Sequence, residues 1–222
     1  DIEYITPLEY GVEVRVKTWV ADFRRAHSLR RYEFINTQTE QVVARAATDW
    51  VYINTESLRP VTVPEAMQAA FCPGGTPEVG GRRERFPKAP PALTDVFTSC
   101  RRVAWRDIDT MWHANNAVYL KYIEDVDSDV WEARGWSRQR MIESGIGVNV
   151  RRYRIEYRHP AQMGDEIEVA TWGTGEKESS MPRHYTIRRV RDEILLACAQ
   201  VNWEWVDLET GERVRMPEDF LV

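Results

Sequence analysis

One pattern occurs twice in this chain. Ile2-Glu-Tyr4-x-x-Pro7-x-x-x-Gly11-x-Glu13-Val-x-Val16-x-Thr18-Trp19 returns as Ile155-Glu-Tyr157-x-x-Pro160-x-x-x-Gly164-x-Glu166-Ile-x-Val169-x-Thr171-Trp172. The match runs on without a gap through Tyr32 and Tyr185, Ala44-x-Ala46 and Ala197-x-Ala199, Trp50 and Trp203, to Pro64-Glu65 and Pro217-Glu218. Roughly a quarter of the paired positions are identical over more than sixty residues in one register, which implies two copies of one module. The copies are unequal. The second has a strand, a polar junction, a helix and long strands, whereas the first starts at the position matching Arg154, inside a strand. A half-module would leave its sheet uncovered, so the natural protein is expected to start earlier than Asp1. An intact mass of 26.0 kDa for the natural protein would contradict that.

The periodicity within each copy is that of strands. Val148 to Tyr157, Glu166 to Thr174, His184 to Val190 and Ile194 to Val206 are alternating or rich in β-branched and aromatic residues, with breaks at Gly164, Pro182 and Arg191-Asp-Glu193. The first copy offers Gly11 to Asp22, Ser28 to Asn36 and Gln41 to Asn54, broken near Thr37-Gln-Thr39, then a short helix from Pro64 to Phe71. The stretch from Cys72 to Asp95 is rich in Gly, Pro and Arg and reads as a linker. The expected organisation is therefore residues 1–71, first copy without its first strand and central helix; 72–95, linker; and 96–222, complete second copy. The fold class is α+β.

Composition narrows the function classes. No apolar run approaches the roughly 18 residues of a membrane span, and Asp1-Ile-Glu-Tyr4 has no basic-then-apolar signal pattern, so a cytoplasmic protein is expected. A net charge of -5 gives no reason to expect nucleic-acid binding. Cys72, Cys100 and Cys198 form no Cys-x-x-Cys pair and read as reduced structural thiols. His27, His113, His159 and His184 have no metal-ligand spacing, so no metal is expected.

The chemistry concentrates between Trp105 and Trp131. Val118, Tyr119, Tyr122, Ile123, Val126 and Val130 recur at helical spacing, with Lys121, Glu124, Asp125 and Ser128 opposite and Gly135 as a stop. Asn115 or Asn116 stands where an N-cap belongs, leaving Asp109 and His113 in the loop just ahead. Free N–H groups and the positive end of the helix dipole would face whatever those side chains hold, and a carbonyl becoming an oxyanion suits such a place. Asp109 is a cap on the plain reading and a nucleophile or base on the functional one. Asp107, two residues earlier, reads as a structural hydrogen-bond partner. Tyr119 falls one turn on, facing inward, where it either packs in the core or lines a pocket.

Asp109-Thr-Met-Trp-His113-Ala-Asn115-Asn116-Ala-Val-Tyr119 resembles the helix start of the hotdog-fold thioesterases, where many members carry Asp, a short gap, then His-Val-Asn-Asn-x-x-Tyr. Bacterial acyl-CoA thioesterases of the hydroxybenzoyl-CoA type and plant acyl-carrier-protein thioesterases share it. Two positions depart: Trp112 stands where bacterial members usually have Gly, and Met111 where plant members have a catalytic Asn. The resemblance implies a tandem hotdog, a long antiparallel sheet wrapped around a central helix in two copies that pair within the chain, with an acyl-CoA or acyl-carrier-protein substrate and no cofactor. It implies Asp109 as nucleophile or general base, His113 and Asn115 as groups that orient it or hold the carbonyl, and Asn116 and Tyr119 beside the substrate. Glu156 matches a strand position that is acidic and catalytic in the plant enzymes, although Glu3 repeats it in the first copy, which favours structure. Arg183, with Arg151-Arg152, Arg154, Arg158, Arg188-Arg189 and Arg191, and with Arg24-Arg25 and Arg30-Arg31 of the first copy, is a candidate cation for substrate phosphates. The alternatives are a hotdog enoyl-thioester hydratase or dehydratase, and a non-catalytic acyl-thioester binding module.

Overall fold

A computed structural model describes residues 1–57, 59–75, 83–91, 96–174 and 180–220. The chain divides into two compact units, Asp1–Arg85 and Phe86–Val222. Among the described residues no helix is long and apolar enough to cross a membrane.

Unit 1 is an antiparallel sheet of β1 (Ile2–Tyr4), β2 (Val14–Arg24), β3 (His27–Asn36) and β4 (Val42–Val51), in the order β2-β3-β4-β1, followed by helix α1 (Glu65–Phe71). The break read near Thr37 is a turn built on Asn36, whose Oδ1 accepts from the backbone N–H groups of Gln38 (2.8 Å) and Thr39 (3.3 Å).

Unit 2 begins with β5 (Phe97–Arg102), runs through α2 (Val118–Ala133) and α3 (Arg138–Ser144), and continues as β6 (Ile146–Tyr157), β7 (Glu166–Gly173), β8 (Ser180–Arg189) and β9 (Leu195–Asp207). These strands are antiparallel in the order β6-β9-β8-β7-β5, and α2 packs on β5 and β7. It is an α+β hotdog arrangement. Gly135, with φ of 72°, turns the chain after α2. Helix α3 was not foreseen; Ser137 caps it through Oγ, which accepts from Arg140 N–H at 3.2 Å.

The sequence repeat is also a repeat of hydrogen-bond register. Ile2 faces Ala46 and Tyr4 faces Ala44 as Ile155 faces Ala199 and Tyr157 faces Ala197. Thr18 pairs with Tyr32, and Tyr32 with Ala46, as Thr171 pairs with Tyr185, and Tyr185 with Ala199. The register shift between Phe34 and Ile35 recurs between Ile187 and Arg188. Gly11 and Gly164 both take a positive φ, 89° and 85°, and so do Glu40 and Glu193, at 57° and 55°.

In unit 2 the apolar stripe of α2, namely Tyr119, Tyr122, Ile123, Val126 and Val130, is buried against a sheet face that includes Ile167, Val169 and Ile187. One acid lies within the stripe. Asp127 is 2% exposed, and its Oδ1 accepts from the Tyr185 hydroxyl at 2.5 Å. Arg183, also 2% exposed, flanks it, donating from Nε to Thr171 Oγ1 at 3.2 Å with its guanidinium over the Trp203 ring. This corrects the reading of Arg183 as a phosphate-binding cation: a side chain so enclosed, bonded to Thr171 and laid over Trp203, does not reach a substrate phosphate.

Burial pushes the Asp127 carboxyl up to about 8 against the opposing pull of Tyr185 and Arg183. An acid raised in the native state stays protonated there while the unfolded chain has already lost its proton. Its contribution is therefore full below the unfolded value near 4 and is lost as pH rises toward 8. Asp127→Asn keeps an acceptor for Tyr185 and removes this titration. In urea unfolding the wild type is expected to lose stability relative to Asp127→Asn between pH 5 and 8, by at most about 1.4 kcal/mol per pH unit for one proton.

Candidate active site

The chain between β5 and α2 is a closed loop fixed at both ends. Trp105–Asp107 forms one turn of 3-10 helix, and Asp107, 7% exposed, turns inward. Its Oδ2 accepts from the Ala104 N–H at 2.8 Å and from the Tyr122 hydroxyl, on α2, at 2.9 Å. Its own carbonyl accepts from the Asn115 N–H at 2.8 Å. Ile108 and Ala114 then form an antiparallel bridge, Asp109 N–H donates to the His113 carbonyl at 3.0 Å, and Ala114 N–H donates to the Ala161 carbonyl at 2.8 Å. Five residues, from Asp109 to His113, are thus pinched into a small outward loop.

Such a tight loop requires one residue in the left-handed region, and that residue is Trp112, with φ of 63°. The departure noted in the sequence thus falls at the position where glycine costs nothing sterically, and tryptophan adopts the same backbone at a cost of about 1–2 kcal/mol. Its ring, 74% exposed, meets the Trp105 ring edge-on with centroids 6.2 Å apart, and Met111 beside them is 71% exposed. The sequence shows three large apolar residues here; their exposure follows only from the loop geometry.

The loop carries Asp109 and His113 together. Asp109 Oδ1 accepts from the Met111 N–H at 2.8 Å and lies 3.7 Å from His113 Nδ1, with the two side chains 25% and 33% exposed. His113 Nδ1 is also 3.2 Å from the Ala114 carbonyl. A half-exposed carboxylate beside an imidazole can act as nucleophile, as base, or as an acid–base pair.

The regular helix starts at Val118, later than expected, yet Asn115 does the capping: Oδ1 accepts from the Ala117 N–H at 2.9 Å and its carbonyl from the Val118 N–H at 2.9 Å. With the carboxamide oxygen so engaged, the Asn115 NH2 is the group left to donate to a carbonyl. Asn116 is exposed, and its carbonyl accepts from the Tyr157 hydroxyl at 2.7 Å.

Two expected site residues lie elsewhere. Tyr119 is 1% exposed, its hydroxyl accepts from the Ala161 N–H at 3.1 Å, and its ring packs edge-on to Tyr122 and Tyr157; it is a core residue. Glu156 neighbours Tyr157 on β6 and therefore points to the opposite side of the sheet, where it pairs with Arg158 at 2.9 Å. Strand alternation thus separates Glu156 from the loop that Tyr157 touches.

The family described as "Thioesterase-like superfamily" matches residues 1–71 and 103–222. The chain belongs to this superfamily. A chloroplastic acyl-[acyl-carrier-protein] hydrolase of Cuphea viscosissima is 23% identical over 177 residues, covering 72% of this chain and 43% of that protein. The thioesterase-like chain spans less than half the length of that curated relative. Among solved structures, a Lactobacillus plantarum protein described as an oleoyl thioesterase superposes with a TM-score of 0.74 at 16% identity, over 98% of this chain and 74% of that one. A 1,4-dihydroxy-2-naphthoyl-CoA thioesterase from Synechocystis superposes with a TM-score of 0.54 at 21% identity, over 57% of this chain and 93% of that one.

The Trp112 backbone makes a prediction that separates conformation from side chain. Trp112→Gly relieves the left-handed strain but loosens the unfolded chain, and its urea midpoint should shift by less than about 1 kcal/mol of stability. Trp112→Val, β-branched at the same φ, is expected to cost roughly 1–2 kcal/mol.

Proposed function

We propose that this protein hydrolyses acyl thioesters of coenzyme A or an acyl-carrier protein at the loop between β5 and α2. The observation that carries the proposal is the Asp109–His113 pair, half-exposed and held at the start of a buried helix. As nucleophile, Asp109 adds to the thioester carbonyl, the thiolate leaves and takes up a proton, and water hydrolyses the resulting anhydride to the acid. As base, Asp109 takes a proton from water, the hydroxide adds to the carbonyl, and collapse of the oxyanion expels the thiol. In either case Asp109 Oδ1 is engaged by Met111, which favours Oδ2 as the reacting oxygen. The Asn115 NH2 would stabilise the oxyanion, with the positive end of the α2 dipole behind it. His113 would orient Asp109 and shuttle the proton. The apolar rim of Trp105, Met111 and Trp112 offers a contact surface for the acyl or pantetheine arm. The names of the relatives, hydrolases of carrier-protein and CoA esters, support the substrate class. In the same reading the chain is two copies of one module, 1–71 and 96–222, joined by 72–95, as the shared registers suggest.

That exposed rim also suits a module that binds acyl thioesters without cleaving them. Thiol release from acyl-CoA and acyl-carrier-protein substrates, followed with a thiol-reactive dye, separates the readings. Wild type is expected to turn over, Asp109→Asn to lose turnover while remaining folded, and His113→Ala to fall by about 10²–10⁴-fold. Saturable binding without release would favour the binding module, and hydration of an enoyl-CoA would favour a hydratase.

A further inference from the structure

The Ile-Glu-Tyr repeat ends in unit 2 on a tyrosine that neither attacks the carbonyl nor carries a proton in the proposed reaction. Tyr157 closes β6, is 39% exposed, and packs its ring edge-on to that of Tyr119, with centroids 5.3 Å apart. Tyr119 is enclosed and accepts from the Ala161 N–H at 3.1 Å, while the Ala161 carbonyl accepts from the Ala114 N–H at 2.8 Å. These contacts tie the end of β6 to the helix entry and hold the Tyr157 ring in one place. From there its hydroxyl donates to the Asn116 carbonyl at 2.7 Å.

That carbonyl belongs to the peptide that caps α2. In a trans peptide the C=O and the N–H point in opposite directions. The Asn116 carbonyl accepts from Tyr157 on one side, and on the other the Ala117 N–H donates to Asn115 Oδ1 at 2.9 Å. The Tyr157 hydroxyl, the Asn116–Ala117 peptide and the Asn115 carboxamide are therefore one chain of hydrogen bonds. A bond accepted by an amide oxygen draws electron density toward it and makes the N–H of the same amide a stronger donor. Two amides in series pass that polarisation in one direction, toward the Asn115 NH2. Geometry acts the same way: the hydroxyl fixes the peptide plane, the peptide fixes Oδ1, and the NH2 is left facing away from the helix cap.

The ring and the hydroxyl have separate jobs. Tyr4 faces Ala44 in unit 1 as Tyr157 faces Ala197, so the ring belongs to the module. What unit 2 adds is the Asn115 cap that the hydroxyl reaches through the peptide. The hydroxyl has a single proton, and it is given to Asn116, so Tyr157 acts through another group rather than on the substrate.

We propose that Tyr157 is a positioning residue for the oxyanion, orienting and polarising the Asn115 carboxamide through the Asn116–Ala117 peptide; this rests on the hydrolase reading, with Asn115 as the donor. Glu156 beside it has no share in this, since its side chain lies on the other side of the sheet.

The test is a double-mutant cycle on kcat and KM for thiol release, with urea unfolding of each variant. Tyr157→Phe keeps the ring against Tyr119 and removes the first donor of the chain. Its kcat is expected to fall about tenfold with KM little changed, as for an oxyanion donor weakened and slightly misplaced. Asn115→Ala removes the NH2 and should lose about 10²–10³-fold in kcat. Asn115→Asp, which keeps the cap and lacks the NH2, replaces it if the alanine variant unfolds. The double variant should lose no more than the Asn115 variant alone, because the tyrosine then has nothing to act on. A further loss in the double variant by the factor that Tyr157→Phe shows alone would overturn the inference, since the tyrosine would be acting independently of Asn115. Wild-type kcat in Tyr157→Phe, or in either folded Asn115 variant, would overturn it too while leaving the hydrolase reading in place. A wild-type protein that releases thiol from no ester would overturn that reading itself, and the inference with it.

Discussion

The Asp107 carboxylate is the interaction on which the candidate site depends. It is buried, and one oxygen accepts from both the Ala104 N–H, where β5 ends, and the Tyr122 hydroxyl, one turn into α2. Hydrogen bonds to a charged acceptor contribute about 1.5–3 kcal/mol each, and leaving such a carboxylate unsatisfied costs more than either bond provides. The sheet edge and the helix are therefore held at one spacing, and the loop between them has little freedom. Burial and the adjacent Asp107 together raise the Tyr122 hydroxyl far above its ordinary value, so it remains a donor across the pH range in which the protein would work. Asp109 and His113 inherit their positions from this clamp rather than from bonds to each other, which lie at 3.7 Å.

The same helix is fixed further along, past its middle, by a different kind of contact. Asp127, Tyr185, Arg183 and Thr171 form a polar cluster inside an apolar interface, where removing one partner would leave another buried and unpaired. Such a cluster specifies how α2 seats on the sheet more than it adds to stability. The strand positions of Thr171, Arg183 and Tyr185 carry the same residue types in unit 1, at Thr18, Arg30 and Tyr32.

The strands and their pairing were legible because alternation and the internal repeat both report on the sheet. Tyr32 and Tyr185, or Gly11 and Gly164, mark corresponding positions before any coordinates are known. The helical stripe from Tyr119 to Val130 was equally plain, as was the structural role of Asp107. What local pattern could not provide was direction across the chain. Arg183 reads as one more cation among many until the fold encloses it between Thr171 and Trp203. Glu156 resembles a site residue until the pleat of β6 turns it away from the loop that Tyr157 reaches. Helix α3 was missed because its start, a single serine cap at Ser137, is weak beside the strand signal that follows. At Trp112, where the resembling bacterial members usually have Gly, the hydrogen bonds of the closed loop outweigh the preference of one side chain.

If Asp109 and His113 form the proposed site, the clamp at Asp107 is what places them. Steady-state hydrolysis of an acyl thioester by Tyr122→Phe, with its urea stability measured in parallel, tests this most directly. A folded protein weakened by about 1–2 kcal/mol is expected, with kcat reduced at least about tenfold and KM little changed, since a small displacement of the attacking group costs rate rather than binding. A Tyr122→Phe enzyme that has lost the hydrogen bond and the stability but turns over at the wild-type rate would contradict it.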